Sequence, residues 1–197
     1  RPMFALAAPA HQRRWPAVTP PSGGHAPVHH ELGAGERGEI CIRSRSVMSG
    51  YWKQPELTDR AFAHGWLHTG DIGVRGDDGL VSIVDRTKDM IISGGFNVYP
   101  REVEDVIATV PDVASVAVVG LDDPKWGEAV TAFVVPRPGC APDPEALRAL
   151  VRERKGAHQS PKEIFFVEAL PTTSVGKIDK PALRAIGAEL RAPHRTN

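Results

Sequence analysis

The chain has 197 residues and is 41% hydrophobic, enough for one or two domains with a packed core. Lysine plus arginine equals aspartate plus glutamate at 24 each, for a formal net charge of zero. That argues against a nucleic-acid partner, which would need a broad basic face, but leaves room for a local basic pocket that takes a nucleotide. No apolar run approaches the ~20 residues of a membrane helix. The two cysteines, Cys41 and Cys140, lack metal-site spacing and read as free thiols of a reducing cytosol.

In chain order, residues 1–34 carry Pro16, Pro20, Pro21, Pro27 and the Gly23-Gly24 pair, and show no helical or strand period. They read as a disordered or irregular segment. The apolar stretch Met3 to Ala10 is too short for a secretory signal and soon meets His11, Arg13 and Arg14. His29-His30 lacks the spacing of metal ligands. Glu39 to Arg43 alternates as a strand. A short helix is expected near Glu56 to Phe62, a turn at Thr69-Gly70-Asp71, and a hairpin at Asp77-Asp78-Gly79. Leu80 to Val84 and Met90 to Ile92 read as short apolar strands.

Beyond Lys88 the pattern becomes α+β. Pro100 opens a helix, with Val103, Val106, Ile107 and Val110 on one face. Val113 to Val119, Val130 to Val135 and Glu163 to Val167 read as three strands. Asp143 caps a helix that begins at Pro144. Asp179 caps the last helix, with Leu183, Ile186 and Leu190 on one face.

Three motifs stand in a fixed order: Trp66-Leu67-His68-Thr69-Gly70-Asp71, then Asp85 to Pro100 (DRTKDMIISGGFNVYP), then Pro171 to Lys180 (PTTSVGKIDK). Together they resemble the C-terminal part of the adenylate-forming (AMP-binding) superfamily, and within it the acyl-CoA synthetases or fatty-acid–CoA ligases. The resemblance runs from about Gly35 to Leu190. It implies an α+β fold: a small β-rich subdomain, then a compact C-terminal lid domain with a three-stranded sheet and helices. The implied boundaries are 1–34 irregular, 35–87 the β-rich tail of the AMP-binding N-terminal domain, and 88–197 a mobile C-terminal domain.

The resemblance also implies roles. Asp71 would accept hydrogen bonds from the ribose hydroxyls of ATP and AMP, since both carboxylate oxygens can accept; Asp after Gly also suits a plain turn. Arg86 would reach nucleotide oxygens with its fork of donors, or else pair with Asp85 or Asp89. Lys88 falls at the hinge about which the lid turns between half-reactions, and also reads as an ordinary exposed lysine. Gly94 and Gly95 would admit the pantetheine arm of CoA by close backbone approach, or form a tight turn. Trp126 and Lys162 match positions that contact the CoA nucleotide, by stacking and by charge; core packing is the alternative for Trp126. Lys177, in a run that reads as a flexible loop, would bridge the substrate carboxylate and the α-phosphate during adenylation, and so be catalytic.

The implied reaction joins a carboxylic acid, ATP and CoA into acyl-CoA, AMP and pyrophosphate through an acyl-adenylate. These 197 residues contain no Ser/Thr/Gly-rich phosphate loop and no Mg2+ ligands of the kind the full-length family uses. The expectation is therefore a cytoplasmic ligase fragment, inactive alone, whose missing partner is an N-terminal adenylation domain. The alternatives are a detached lid acting in trans and a non-enzymatic nucleotide- or CoA-binding module.

Overall fold

A computed structural model describes the backbone of residues 3–7 and the full structure of residues 32–191. Residues 8–31, with His29-His30 and most of the segment expected to be irregular, lie outside the described residues. The chain divides into two compact units, Arg1–Lys88 and Asp89–Asn197.

The first unit is a four-stranded sheet with order β1-β2-β3-β4, formed by β1 (Met3–Ala7), β2 (Arg37–Arg43), β3 (Leu67–Arg75) and β4 (Val81–Arg86). β1 runs parallel to β2, with Met3 opposite Glu39 and Ala7 opposite Arg43. This corrects the expectation for residues 1–34: part of that stretch is a strand. Its five apolar residues lack the alternation that marks a half-buried strand, so pattern alone did not reveal it. The short helix expected near Glu56 to Phe62 is α1 (Pro55–Ala61), which starts one residue earlier, on its proline. The β3–β4 hairpin turns where expected, and its loop closes through Gly79 N to Gly76 O (3.0 Å) and Gly76 N to Leu80 O (2.8 Å).

The anticipated turn at Thr69-Gly70-Asp71 is instead a bulge inside β3. Glu39 faces Ile72 and Cys41 faces His68, so Ile40 stands opposite three residues, Thr69, Gly70 and Asp71. Gly70 supplies the kink with φ +75°, a conformation that costs other residues roughly 1–2 kcal/mol. The signal read as a turn was real; the chain uses it to bend a strand.

The second unit is built on β7 (Val113–Asp123) and β8 (Gly127–Pro136), an antiparallel pair in register from Val113–Pro136 to Asp123–Gly127. Three further strands join them: β5 (Ile91–Ser93), β6 (Phe96–Val98) and β9 (Glu163–Phe166). β5 meets β8 at Ser93–Gly127, β6 pairs β5, and β9 runs parallel to β8 from Thr131–Glu163 to Val134–Phe166. The sheet therefore has five strands where three were expected. β5 matches the apolar strand expected at Met90 to Ile92 to within one residue, and β6 has three residues, too short for a period to show.

Helices cover both faces, and strand alternation decides which side chain goes where. Val116, Val118, Val130, Ala132 and Val134 pack against Val103, Val106 and Ile107 of α2 (Pro100–Ile107) and Leu147 and Val151 of α3 (Pro144–Lys155). Ala117, Val119, Leu121 and Phe133 face the other way, onto Leu183 of α4 (Lys180–Arg191). A strand buried on both faces reads as a continuous apolar run, which explains the valine-rich sequence. Asp143 caps α3 by accepting from Glu145 N at 3.0 Å, and Asp179 caps α4 by accepting from Ala182 N at 3.0 Å. No helix among the described residues is long and apolar enough to cross a membrane. Both cysteines are free thiols.

Leu183 is fully buried and is the main anchor of α4 on the sheet. Leu183→Ala is expected to cost about 2–5 kcal/mol by deleting buried methyl groups and leaving a cavity. Thermal and urea unfolding will read this as a lower midpoint, and an unchanged midpoint would mean α4 is not docked.

Candidate functional site

In the first unit, Asp71 and Arg86 are register partners across β3 and β4. Arg86 Nε lies 3.4 Å from Asp71 Oδ1, with the arginine side chain 59% exposed and the aspartate 27%. Of the two partners considered for Arg86, Asp85 offers its Oδ1 to the Arg86 backbone N–H at 2.7 Å; the guanidinium itself turns to Asp71. A pair this exposed adds at most ~1 kcal/mol of stability. It sets an acceptor carboxylate beside a donor fork, which suits a ligand that carries hydroxyls and anionic oxygens together.

Beneath Asp71 lies a polar cluster that the sequence reading missed. Glu39 Oε2 and His68 Nδ1 are 2.9 Å apart, and Glu39 Oε1 accepts from Gly70 N at 3.1 Å. Cys41 Sγ is 3.4 Å from His68 Nδ1. Burial, with the Glu39 charge, pushes the Cys41 thiol up to about 12, so it is an inert thiol. The clue was available: Glu39 is the acid that directly precedes the apolar run Ile40-Cys41-Ile42 of β2.

Lys88 is exposed and lies in a one-turn 3-10 helix, Thr87–Asp89, where the chain passes from one unit to the next.

In the second unit, three of the predicted residues, Gly94, Trp126 and Lys162, line one cavity of about 380 Å³ together with Ser93, Phe96, Ala157 and His158, and Gly95 follows Gly94 outside that lining. Gly94 N donates to Trp126 O at 2.8 Å. Gly94 and Gly95 have φ of +58° and +82°. A Cβ on Gly94 would stand 3.1 Å from the Trp126 ring, so close approach as well as turn geometry requires glycine there. Trp126 is a wall of this cavity rather than a core residue. Lys125 Nζ and Lys162 Nζ lie 4.9 and 4.8 Å from its ring centroid, within cation–π range. Opposite, the Phe96 and His158 rings stack at a tilt, 5.2 Å apart. Neither was singled out from sequence, since aromatics contributed by separate loops leave no local pattern. The cavity thus offers aromatic planes beside ammonium groups, which is the chemistry of a base with attached phosphates.

Lys177 stands on a short, ordered hairpin, not on the flexible loop expected. Thr173 N donates to Lys177 O (2.7 Å), Gly176 N to Thr173 O (2.9 Å) and Asp179 N to Pro171 O (2.8 Å), with Thr172 paired to Ile178. Gly176, at φ +76°, makes the turn possible. The β-branched run that looked mobile forms the two arms, and the Lys177 side chain is left exposed.

Among the described residues, the cluster that could hold a metal is Glu39, Cys41 and His68, with ligand atoms within 4.8 Å of one another. Thiol and imidazole are soft or borderline donors, whereas Mg2+ demands oxygens. This cluster does not fit that ion.

Comparison with known proteins places this geometry. Residues 102–177 match the family model of the AMP-binding enzyme C-terminal domain. The chain is 53% identical over 158 residues to the medium/long-chain-fatty-acid–CoA ligase FadD8 of Mycobacterium tuberculosis, covering 77% of this chain and 28% of that protein. Among solved structures it is similar to the amide bond synthetase McbA of Marinactinospora thermotolerans, with 46% identity and a TM-score of 0.74 over 80% of this chain and 32% of that one. It is also similar to ATP-bound MatB of Rhodopseudomonas palustris, at 37% identity and a TM-score of 0.75 over 81% and 32%. The chain thus spans about a third of the length of the relatives it matches.

The cavity generates a titration prediction. Desolvation, then the charges of Arg152 and Lys125, hold the Lys162 ammonium below the usual lysine range. With its folded pKa depressed, the folded state binds this proton less readily than the unfolded chain. Lys162 should then cost a little stability when charged, and stability should rise as pH climbs from its folded pKa toward ~10.4. NMR titration of the lysine side chains should show Lys162 with the lower midpoint, and Lys125→Met should raise it. A midpoint that ignores Lys125→Met would mean the two ammonium groups do not share the ring.

Proposed function

The chain belongs to the adenylate-forming superfamily, as the C-terminal part of an acyl-CoA ligase, and on that premise we propose that it supplies the ribose contact, hinge and lid of an acid–thiol ligase. The reaction activates a carboxylic acid of the fatty-acid class with ATP and passes the acyl group to CoA. The observation that carries this reading is the convergence of Gly94, Trp126 and Lys162 on one aromatic, cationic cavity. Aromatic faces beside ammonium groups suit a thiol that carries a nucleotide.

The roles we assign join the family resemblance to the position of each residue. Asp71 accepts from the ribose hydroxyls, and Arg86, already beside it, donates to nucleotide oxygens. The solvated Lys88 absorbs the backbone change when the lid turns. Lys177 carries its ammonium to the point where carboxylate and α-phosphate repel each other, and stabilises the charge that builds on phosphorus as the acyl oxygen attacks and pyrophosphate leaves. After the lid turns, the cavity at Trp126 holds the CoA nucleotide, and Gly94 and Gly95 let its pantetheine arm pass close to the backbone. The acyl pocket and the phosphate loop belong to an adenylation domain outside these residues, so the 197 residues make no acyl-CoA by themselves. Two free thiols suit a reducing compartment such as the cytosol.

The test supplies this chain to a related adenylation domain lacking its own C-terminal part. Pyrophosphate release from fatty acid and ATP should require both proteins. Lys177→Ala should lower it by about 10²–10³, the usual loss of one charge-stabilising donor. Thioester formation from preformed acyl-adenylate should change far less. An equal fall in both half-reactions would make Lys177 structural and defeat the assignment.

A further inference from the structure

Two consecutive backbone amides at the β3 bulge are held by side chains. Gly70 N donates to Glu39 Oε1 at 3.1 Å, and Asp71 N donates to Thr69 Oγ1 at 3.1 Å. Thr69 Oγ1 in turn donates to Ile40 O at 2.8 Å, on the strand opposite. Glu39 is 8% exposed, and its other oxygen is 2.9 Å from His68 Nδ1. The carboxylate that could join Cys41 and His68 around a metal is therefore occupied twice, once by a backbone donor and once by an imidazole. Burying a carboxylate is costly unless every oxygen is satisfied, and here the satisfied carboxylate closes on the kink itself.

We infer that Glu39 and Thr69 are positioning residues for the ribose: together they lock the Thr69-Gly70-Asp71 bulge and so fix where the Asp71 carboxylate stands. The inference rests on the reading of Asp71 as the ribose acceptor. Its logic is geometric. A bulge is a place where the strand could relax toward a regular ladder, and relaxation by one residue would turn Asp71 to the opposite face. Glu39 clamps the residue with φ +75° from below. Thr69 ties the next amide and the facing strand through one hydroxyl.

The experiment measures binding of AMP and of 2′,3′-dideoxy-AMP to the 197-residue chain by ligand-observed NMR. The ratio of the two affinities is the readout, because general damage lowers both alike. The unmodified chain should prefer AMP by about tenfold or more, the value of one charge-assisted hydrogen bond. Asp71→Ala should abolish the preference. Glu39→Ala and Thr69→Val should each reduce it severalfold; Thr69→Val is nearly isosteric and keeps the test alive if Glu39→Ala fails to fold. If Asp71→Ala removes the preference while both other variants keep it, the positioning inference is wrong and the ribose reading stands. If the unmodified chain shows no preference, the ribose reading falls and the inference with it.

Discussion

The β7–β8 ladder is the constraint on which the second unit depends. Its long, paired register leaves only Pro124, Lys125 and Trp126 to turn between the strands. Asp123 closes that turn by accepting from both Lys125 N (2.9 Å) and Trp126 N (3.0 Å). The indole is thereby aimed by the ladder's own geometry. The far edge of β8 then receives β5 at Gly127 and β9 from Thr131 onward. Gly94 arrives on the first, and Lys162, whose N–H donates to Val130 O at 2.8 Å, on the second. Three cavity residues far apart in sequence are neighbours because one strand organises them all.

The first unit solves a different problem. A flat ladder would bury or expose whole alternating sets of side chains, with no freedom for one residue. The bulge against Ile40 breaks that rule at one point, where a glycine with positive φ makes the break cheap. The polar groups freed from the ladder reappear as the bonds to Glu39 and Thr69. Accounting for each displaced amide is what links a buried charge on β2 to a surface carboxylate on β3.

Much of this was legible in the sequence. Proline at the start of α2 and α3, aspartate before α3 and α4, and the valine runs of β7 and β8 identify these elements because capping and two-sided burial leave local signatures. The short strand β6 left none, since three residues cannot display a period, whereas β5 showed as the apolar run Met90 to Ile92. β1 was invisible for another reason: its five residues are uniformly apolar, and its pairing with Glu39 to Arg43 spans more than thirty positions. At the site, Gly94, Trp126 and Lys162 were named singly, and the structure brings them together. Phe96 and His158 were missed because ring contacts between loops are tertiary facts. Glu39 was passed over as a strand residue, although an acid beside an apolar run asks for a partner.

The ordered hairpin under Lys177 changes the thermodynamic character of the residue it carries. A lysine on a slack loop would have to surrender backbone freedom each time it engaged its anions, at roughly 1–2 kcal/mol for every residue immobilised. With Thr173, Gly176 and Asp179 already bonded, that entropy is lost once, when the chain folds. In the role proposed for Lys177, only the side-chain torsions would remain to be fixed at each engagement. The ammonium's reach is set by four methylenes above a hydrogen-bonded mount, so the distance it can bridge is narrow.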